Sequence, residues 1–133
     1  MNKIEHIGIA VKHLADAVPL YEKLLNTQCY KTETVDSENV NTAFFAIGDS
    51  KIELLESTDD KGVINNFIEK RGEGIHHLAF EVNNIESEVQ RLIAEGFKPL
   101  STAPKKGADN KLVFFFHPKS TNGVLIELCQ TIA

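Results

Sequence analysis

The chain is written twice, and no other feature constrains its fold as strongly. Residues 4–30, IEHIGIAVKHLADAVPLYEKLLNTQCY, lie over residues 75–100, IHHLAFEVNNIESEVQRLIAEGFKPL, with His6 on His77 and Val11 on Val82. Farther along, SKIELLE (50–56) lies over GVLIELC (123–129), which sets Glu53 on Glu127 within a shared Ile-Glu-Leu. Glu53 follows His6 by 47 positions and Glu127 follows His77 by 50, so the two copies keep nearly the same internal spacing.

Each copy reads as βαβββ. In the second, Asn83 followed by Glu86 resembles a capping box, Ile85, Val89, Leu92 and Ile93 form a helical stripe, and Gly96 ends it. The first helix spans about Leu14 to Leu25 and contains Pro19, which inside a helix costs about 3 kcal/mol. Either the helix starts late, so that Pro19 falls in its first turn, or it kinks. Further strands are expected at 40–47, 51–56, 98–102, 111–117 and 123–129, with reversals at GDS and PKSTNG. Residues 57–73 connect the copies, and Val63, Ile64, Phe67 and Ile68 predict a short amphipathic helix there. The expected architecture is α+β: two paired βαβββ modules, about 1–56 and 74–133, in a single domain shaped as a metal-binding cup.

The strand GIHHLAFEV (74–82) carries two adjacent histidines. Successive strand side chains point to opposite faces, so His76 goes with Leu78, Phe80 and Val82 while His77 faces the other way. The same alternation sets His6 against Ile7 and Val11, Glu53 against Ile52 and Leu54, and Glu127 against Ile126 and Leu128. One His and one Glu per copy thus leave the face that packs beneath the helices. Carboxylates held in a partly dry cavity cost several kcal/mol per ion unless compensated. Two imidazoles and two carboxylates with open positions left over suit a catalytic divalent cation. His76 is expected to be structural and His13, at a strand–helix junction, exposed.

With 133 residues, 42% hydrophobic and 25% charged, the chain can bury a core. A net charge of −5 offers no basic footprint for nucleic acid or an anionic membrane surface, which points to small-molecule partners. The opening MNKIEHIGIAV lacks a signal-peptide pattern and no run is long enough to span a bilayer, so a cytoplasmic protein is expected. Cys29 and Cys129 do not form a disulfide framework or a close Cys pair and read as reduced, buried thiols.

IEHIGIAV, IELLE, GEGIHHLAFEV and FFFHPKSTNGVLIELCQ resemble the vicinal oxygen chelate (glyoxalase-like) superfamily and, within it, the methylmalonyl-CoA epimerases, along essentially the whole chain. The resemblance implies a bound divalent metal such as cobalt, with Mn2+, Zn2+, Ni2+ or Mg2+ as other choices. It also implies interconversion of the two C2 epimers of methylmalonyl-CoA, and a homodimer. Its metal ligands fall on His6, Glu53, His77 and Glu127; some members have Gln at the position of Glu53. Epimerisation needs an acid/base group on each face of the reacting carbon. Glu127 is the candidate for one face. For the other the family places a Glu in the loop before VNTAFF, where this chain reads TVDSENV: Ser37 overlies that Glu, and Glu38, then Asp36, are the nearby acids. Lys105, Lys106, His117, Lys119 and Ser120 are candidate contacts for the CoA phosphates or the substrate carboxylate. Two other activities compete: a glyoxalase I acting on a glutathione hemithioacetal, and a metal-free binder like the bleomycin-sequestering members.

Overall fold

The computed structural model describes all of residues 1–133 and holds eight β-strands and three α-helices. The chain divides into two compact units. The first is His6–His76; the second joins Met1–Glu5 to His77–Ala133. The expected connector therefore belongs with the first unit, and the opening five residues with the second.

In the first unit, β1 (Lys3–Ala10, from His6 on), β2 (Lys31–Val35), β3 (Val40–Ile47) and β4 (Ser50–Ser57) follow the order β2-β3-β4-β1. The β1–β4 pairing is parallel and the others are antiparallel. One face is covered by α1 (Leu14–Leu25): Val11, Ala17, Ala43, Phe45 and Leu54 form a buried cluster, joined by Leu14, Val18, Tyr21 and Leu25. Fully burying a Phe or Leu side chain is worth about 1.5–3 kcal/mol, so this cluster fixes which face of the sheet lies under the helix. The helix begins at Leu14 and runs through Pro19, so the late start is not what accommodates the proline. The connector helix is α2 (Val63–Arg71), where Phe67 meets His76 edge-on at 5.0 Å. That contact gives His76 the structural place its strand parity assigned it.

In the second unit, β5 (Gly74–Glu81, from His77 on), β6 (Lys105–Lys106), β7 (Lys111–Phe116) and β8 (Ile126–Thr131) follow the order β5-β8-β7-β6, again with one parallel pairing, β5–β8. Val82, Leu128, Phe114 and Phe116 pack with Ile85, Val89 and Leu92 of α3 (Ile85–Ala94). The α3 N-cap is Asn84, one residue later than the sequence pattern suggests; its Oδ1 accepts the Ser87 amide at 3.0 Å.

Both units start their main helix in the same unusual way. The α1 N-cap, His13, makes no side-chain cap. Instead, Glu56 Oε2 reaches over from β4 to accept the Leu14 amide at 2.9 Å. Gln130 Oε1 of β8 accepts the Ile85 amide at 2.8 Å. Each residue lies three positions after the Glu of its Ile-Glu-Leu. The duplication therefore extends to how the last strand of each unit satisfies an amide that a helix start leaves unpaired.

Three expectations are corrected. Residues 98–102 are not a strand: only an isolated bridge, Pro99 to Phe116, forms there, because proline has no amide to give to a ladder. The edge is closed by the two-residue β6 instead. The last strand begins at Ile126 rather than 123, because Gly123 (φ 87) still lies in the turn, its amide bonded to Pro118 O at 2.8 Å. Cys129 is buried but Cys29 is only half-buried, and neither forms a disulfide.

Candidate functional site

The face opposite each helix carries one buried His–Glu pair. In the first unit, His6 Nδ1 stands 3.0 Å from Glu53 Oε2. In the second, His77 Nε2 stands 3.0 Å from Glu127 Oε1. All four residues are 4 or 5% exposed. Buried carboxylates are rarely held like this without a partner to offset the loss of water.

The surroundings of the two glutamates also repeat. Glu53 is paired across the sheet with Gly8 on one side and Phe44 on the other. Glu127 is paired with Ala79 and Phe115. A small residue on one flank leaves space above the carboxylate, and an aromatic on the other walls it. Phe44 is fully buried, and Phe115 meets the His77 ring edge-on at 5.8 Å. The aromatic edge is the electropositive part of the ring, so these contacts orient imidazole and phenyl together.

The donor set fits a divalent cation. Two ligand atoms each about 2.1 Å from one ion and at a right angle to each other stand about 3.0 Å apart. That is the nitrogen-to-oxygen separation in both pairs. Neutral imidazole and carboxylate are the usual donors to borderline and hard divalent metals.

The other sequence candidates are spread more widely. Asp36, Ser37 and Glu38 form a 3₁₀ turn between β2 and β3, closed by Asn39 in the left-handed region (φ 54), whose amide bonds Asp36 O at 3.2 Å. Glu38 is half-buried, while Asp36 and Ser37 are exposed. Lys105 and Lys106, exposed on β6, point to opposite faces. Lys105 pairs with Val113, which pairs with Cys129, so only Lys105 shares the Glu127 face. His117 and Ser120 serve their own loop: His117 Nδ1 accepts the Lys119 amide at 3.0 Å, and Ser120 Oγ accepts the Lys98 amide at 3.2 Å and donates to His117 O at 3.0 Å. Lys119 is exposed, as is His13.

Sequence reasoning missed a buried ion pair in the second unit. Glu5 Oε2 lies 3.8 Å from Lys111 Nζ, which donates to Thr131 Oγ1 at 2.8 Å; Glu5 is 1% exposed. Strand alternation shows only that Glu5 opposes His6. What buries it comes from a strand more than a hundred positions away, and no local pattern marks that.

A paired βαβββ fold with a buried His–Glu pair in each half defines a member of the glyoxalase/bleomycin resistance protein/dioxygenase superfamily, and the chain belongs to it: the family model matches residues 5–115. Among relatives, the chain is 38% identical to the mitochondrial methylmalonyl-CoA epimerase of Dictyostelium discoideum, over 96% of this chain and 78% of that one. It is 40% identical to the uncharacterised protein YqjC of Bacillus subtilis, over 98% of this chain and 93% of that one. Among solved structures it superposes with a TM-score of 0.96, at 30% identity, on a Streptomyces coelicolor methylmalonyl-CoA epimerase variant in complex with 2-nitronate-propionyl-CoA, over 100% of this chain and 96% of that one. Both levels of the resemblance read from the sequence are met, the superfamily by the family model and the epimerases as relatives. No helix of the chain is long and apolar enough to cross a membrane.

Proposed function

We propose that this chain is an isomerase that interconverts the C2 epimers of methylmalonyl-CoA, with His6, Glu53, His77 and Glu127 as the ligands of one divalent cation. The observation that carries the reading is the repetition of a buried His–Glu pair at 3.0 Å in each unit. The epimerase relatives, matched over nearly the whole chain, supply the substrate. Cobalt as the ion, a homodimer as the assembly and the cytoplasm as the compartment are parts of the same proposal.

The chemistry suits such residues. The C2 proton lies between a thioester carbonyl and a carboxylate, and its removal places negative charge on the thioester oxygen. The cation, when bound, supplies Lewis-acid stabilisation of that charge. Glu127 accepts or returns the proton on one face of the planar intermediate, and Glu38 in the turn before β3 serves the other. A positioned acid or base contributes about 10²–10⁴-fold at each step. The half-buried position of Glu38, against exposed Asp36 and Ser37, supports the choice.

The test is direct. The cobalt-loaded chain, given one epimer of methylmalonyl-CoA in heavy water, is expected to incorporate deuterium at C2 and to yield the other epimer. Failure of both sinks the proposal, and turnover of methylglyoxal with glutathione in their place would put a glyoxalase I there instead.

A further inference from the structure

The connection between β7 and β8 runs through HPKSTNGVL, residues 117–125. Asn122 is exposed there with φ 57, and Gly123 follows with φ 87. No other asparagine of the chain precedes a glycine. Asn26, Asn39 and Asn110, also at positive φ, precede Thr27, Val40 and Lys111. The distinction is chemical. A backbone nitrogen can attack the side-chain carbonyl carbon of the asparagine before it; a Cβ on the attacking residue crowds that approach, and glycine has none.

Two features of the turn oppose the attack. A residue with the φ of Asn122 sits in the left-handed region, where ψ is about 30–60° and the next nitrogen points away from the side chain it would have to reach. The Gly123 amide also donates its proton to Pro118 O at 2.8 Å, so the nitrogen serves as a nucleophile only once that bond has opened. Thr121 spans the same pair of residues: its Oγ1 donates to Val124 O, and its backbone oxygen accepts the Val124 amide at 3.2 Å.

We propose that Asn122 is a site of spontaneous conversion to aspartate and isoaspartate, reached by local opening of this turn with the rest of the fold intact. The Gly123 nitrogen bonds to Cγ of Asn122, and the side-chain nitrogen leaves as ammonia, taking the amide proton with it. A five-membered imide remains. Water adding at Cγ breaks the new bond and gives aspartate; water adding at the backbone carbon breaks the original peptide bond to nitrogen and gives isoaspartate. Water is the one co-reactant. Either product adds one negative charge to a chain of net charge −5, and isoaspartate also adds a methylene to the main chain five positions before Glu127.

The experiment incubates the chain at neutral pH in water enriched in heavy oxygen, both folded and in concentrated guanidinium chloride, and maps its peptides by mass spectrometry. The label marks conversion that occurred during the incubation. In the unfolded chain, Asn122 should convert ahead of every other asparagine. In the folded chain it should convert about tenfold or more slowly, because the bonds of the turn must break first and opening is fast beside the chemistry, so the rate follows the open fraction. Thr121→Val should raise the ratio of folded to unfolded rate about three- to tenfold, the loss of one hydrogen bond from the closed turn. Low denaturant should barely change the folded rate, since local opening exposes little surface. Equal folded and unfolded rates would mean that the turn guards nothing. A folded rate that climbs with denaturant in step with global unfolding, or no label in the folded chain, would mean that the turn does not open by itself. Either result, a faster asparagine elsewhere in the unfolded chain, or an unaltered ratio in Thr121→Val overturns the inference.

Discussion

His77 Nε2 and Glu127 Oε1 meet at 3.0 Å, with the Phe115 ring edge-on to the imidazole and in register with the carboxylate. The neighbouring histidine of the same strand, His76, packs on Phe67 instead. Replacing His77 by Ala should therefore abolish metal retention and epimerisation, since one nitrogen donor leaves the proposed four-residue set. His76→Ala should keep both and lower the unfolding midpoint. Metal analysis after gel filtration and a denaturant titration of both variants would check this, and the reverse pattern would refute the strand-parity assignment.

Glu38 lies outside the proposed ligand set, in the turn before β3. In Glu38→Gln, metal content should be unchanged and epimerisation should cease, while the C2 proton of one epimer still exchanges with deuterium from solvent. Glu127→Gln should weaken both metal binding and turnover. Should Glu38→Gln epimerise at the unaltered rate, the second acid is elsewhere and Asp36→Asn is the next variant to assay.

The Glu5–Lys111 pair predicts an asymmetric double-mutant cycle. Lys111→Met alone removes the ammonium beside a buried carboxylate and should cost about 3–5 kcal/mol, whereas combining it with Glu5→Gln should recover much of that loss. Urea unfolding of the two single variants and the double would measure it, and additive losses would show that the pair is not coupled.

Glu56 and Gln130 predict matched effects in the two units. Each accepts the amide at the first position of a helix that lacks another cap at that amide, so Glu56→Ala or Gln130→Ala should cost about 0.5–2 kcal/mol. Amide hydrogen exchange should localise the first loss to the start of α1 and the second to the start of α3.

On α3, the Arg91 guanidinium bonds and attracts the Glu88 carboxylate and holds its pKa below the ordinary 4.5, with the Met1 amine at 3.8 Å adding to the effect. A carboxylate with a depressed folded pKa stabilises the fold above its unfolded value, and loses that contribution as pH falls through the folded one. Glu88→Gln should therefore flatten the stability profile in the acid range below about pH 4.5. Added salt should shrink the difference, because the Arg91 side chain is 55% exposed. Unfolding midpoints against pH at low and high salt would show it.

Much of this was legible in the sequence because two periodicities carry it. The apolar alternation of β1 and β4, the apolar runs of β3 and β7 and the stripe of α3 mark the buried elements, and the repeat shows which polar residues recur in register. What was not legible depends on distant pairing. KTETV at 31–35 has little apolar content and becomes β2 only against β3, so with its strand unlocated Lys31 had no face to be assigned to. KPLST reads as a strand until Pro99 is asked for an amide, and KK becomes one only because β7 offers its edge.

The division of β1 between the units sets an order of events during synthesis. The Asn2 amide is bonded to Glu81 O at 2.9 Å, and Glu5 waits for Lys111. A ribosome adding about 5–20 residues per second makes the first residues several seconds before those partners exist. Until then the growing chain carries Glu5 without the lysine that neutralises it, on a strand whose next residue, His6, already belongs to the earlier half. The first unit can gather its own helix and sheet while its leading end stays open. Residues 2 and 5 then close onto partners made long after them.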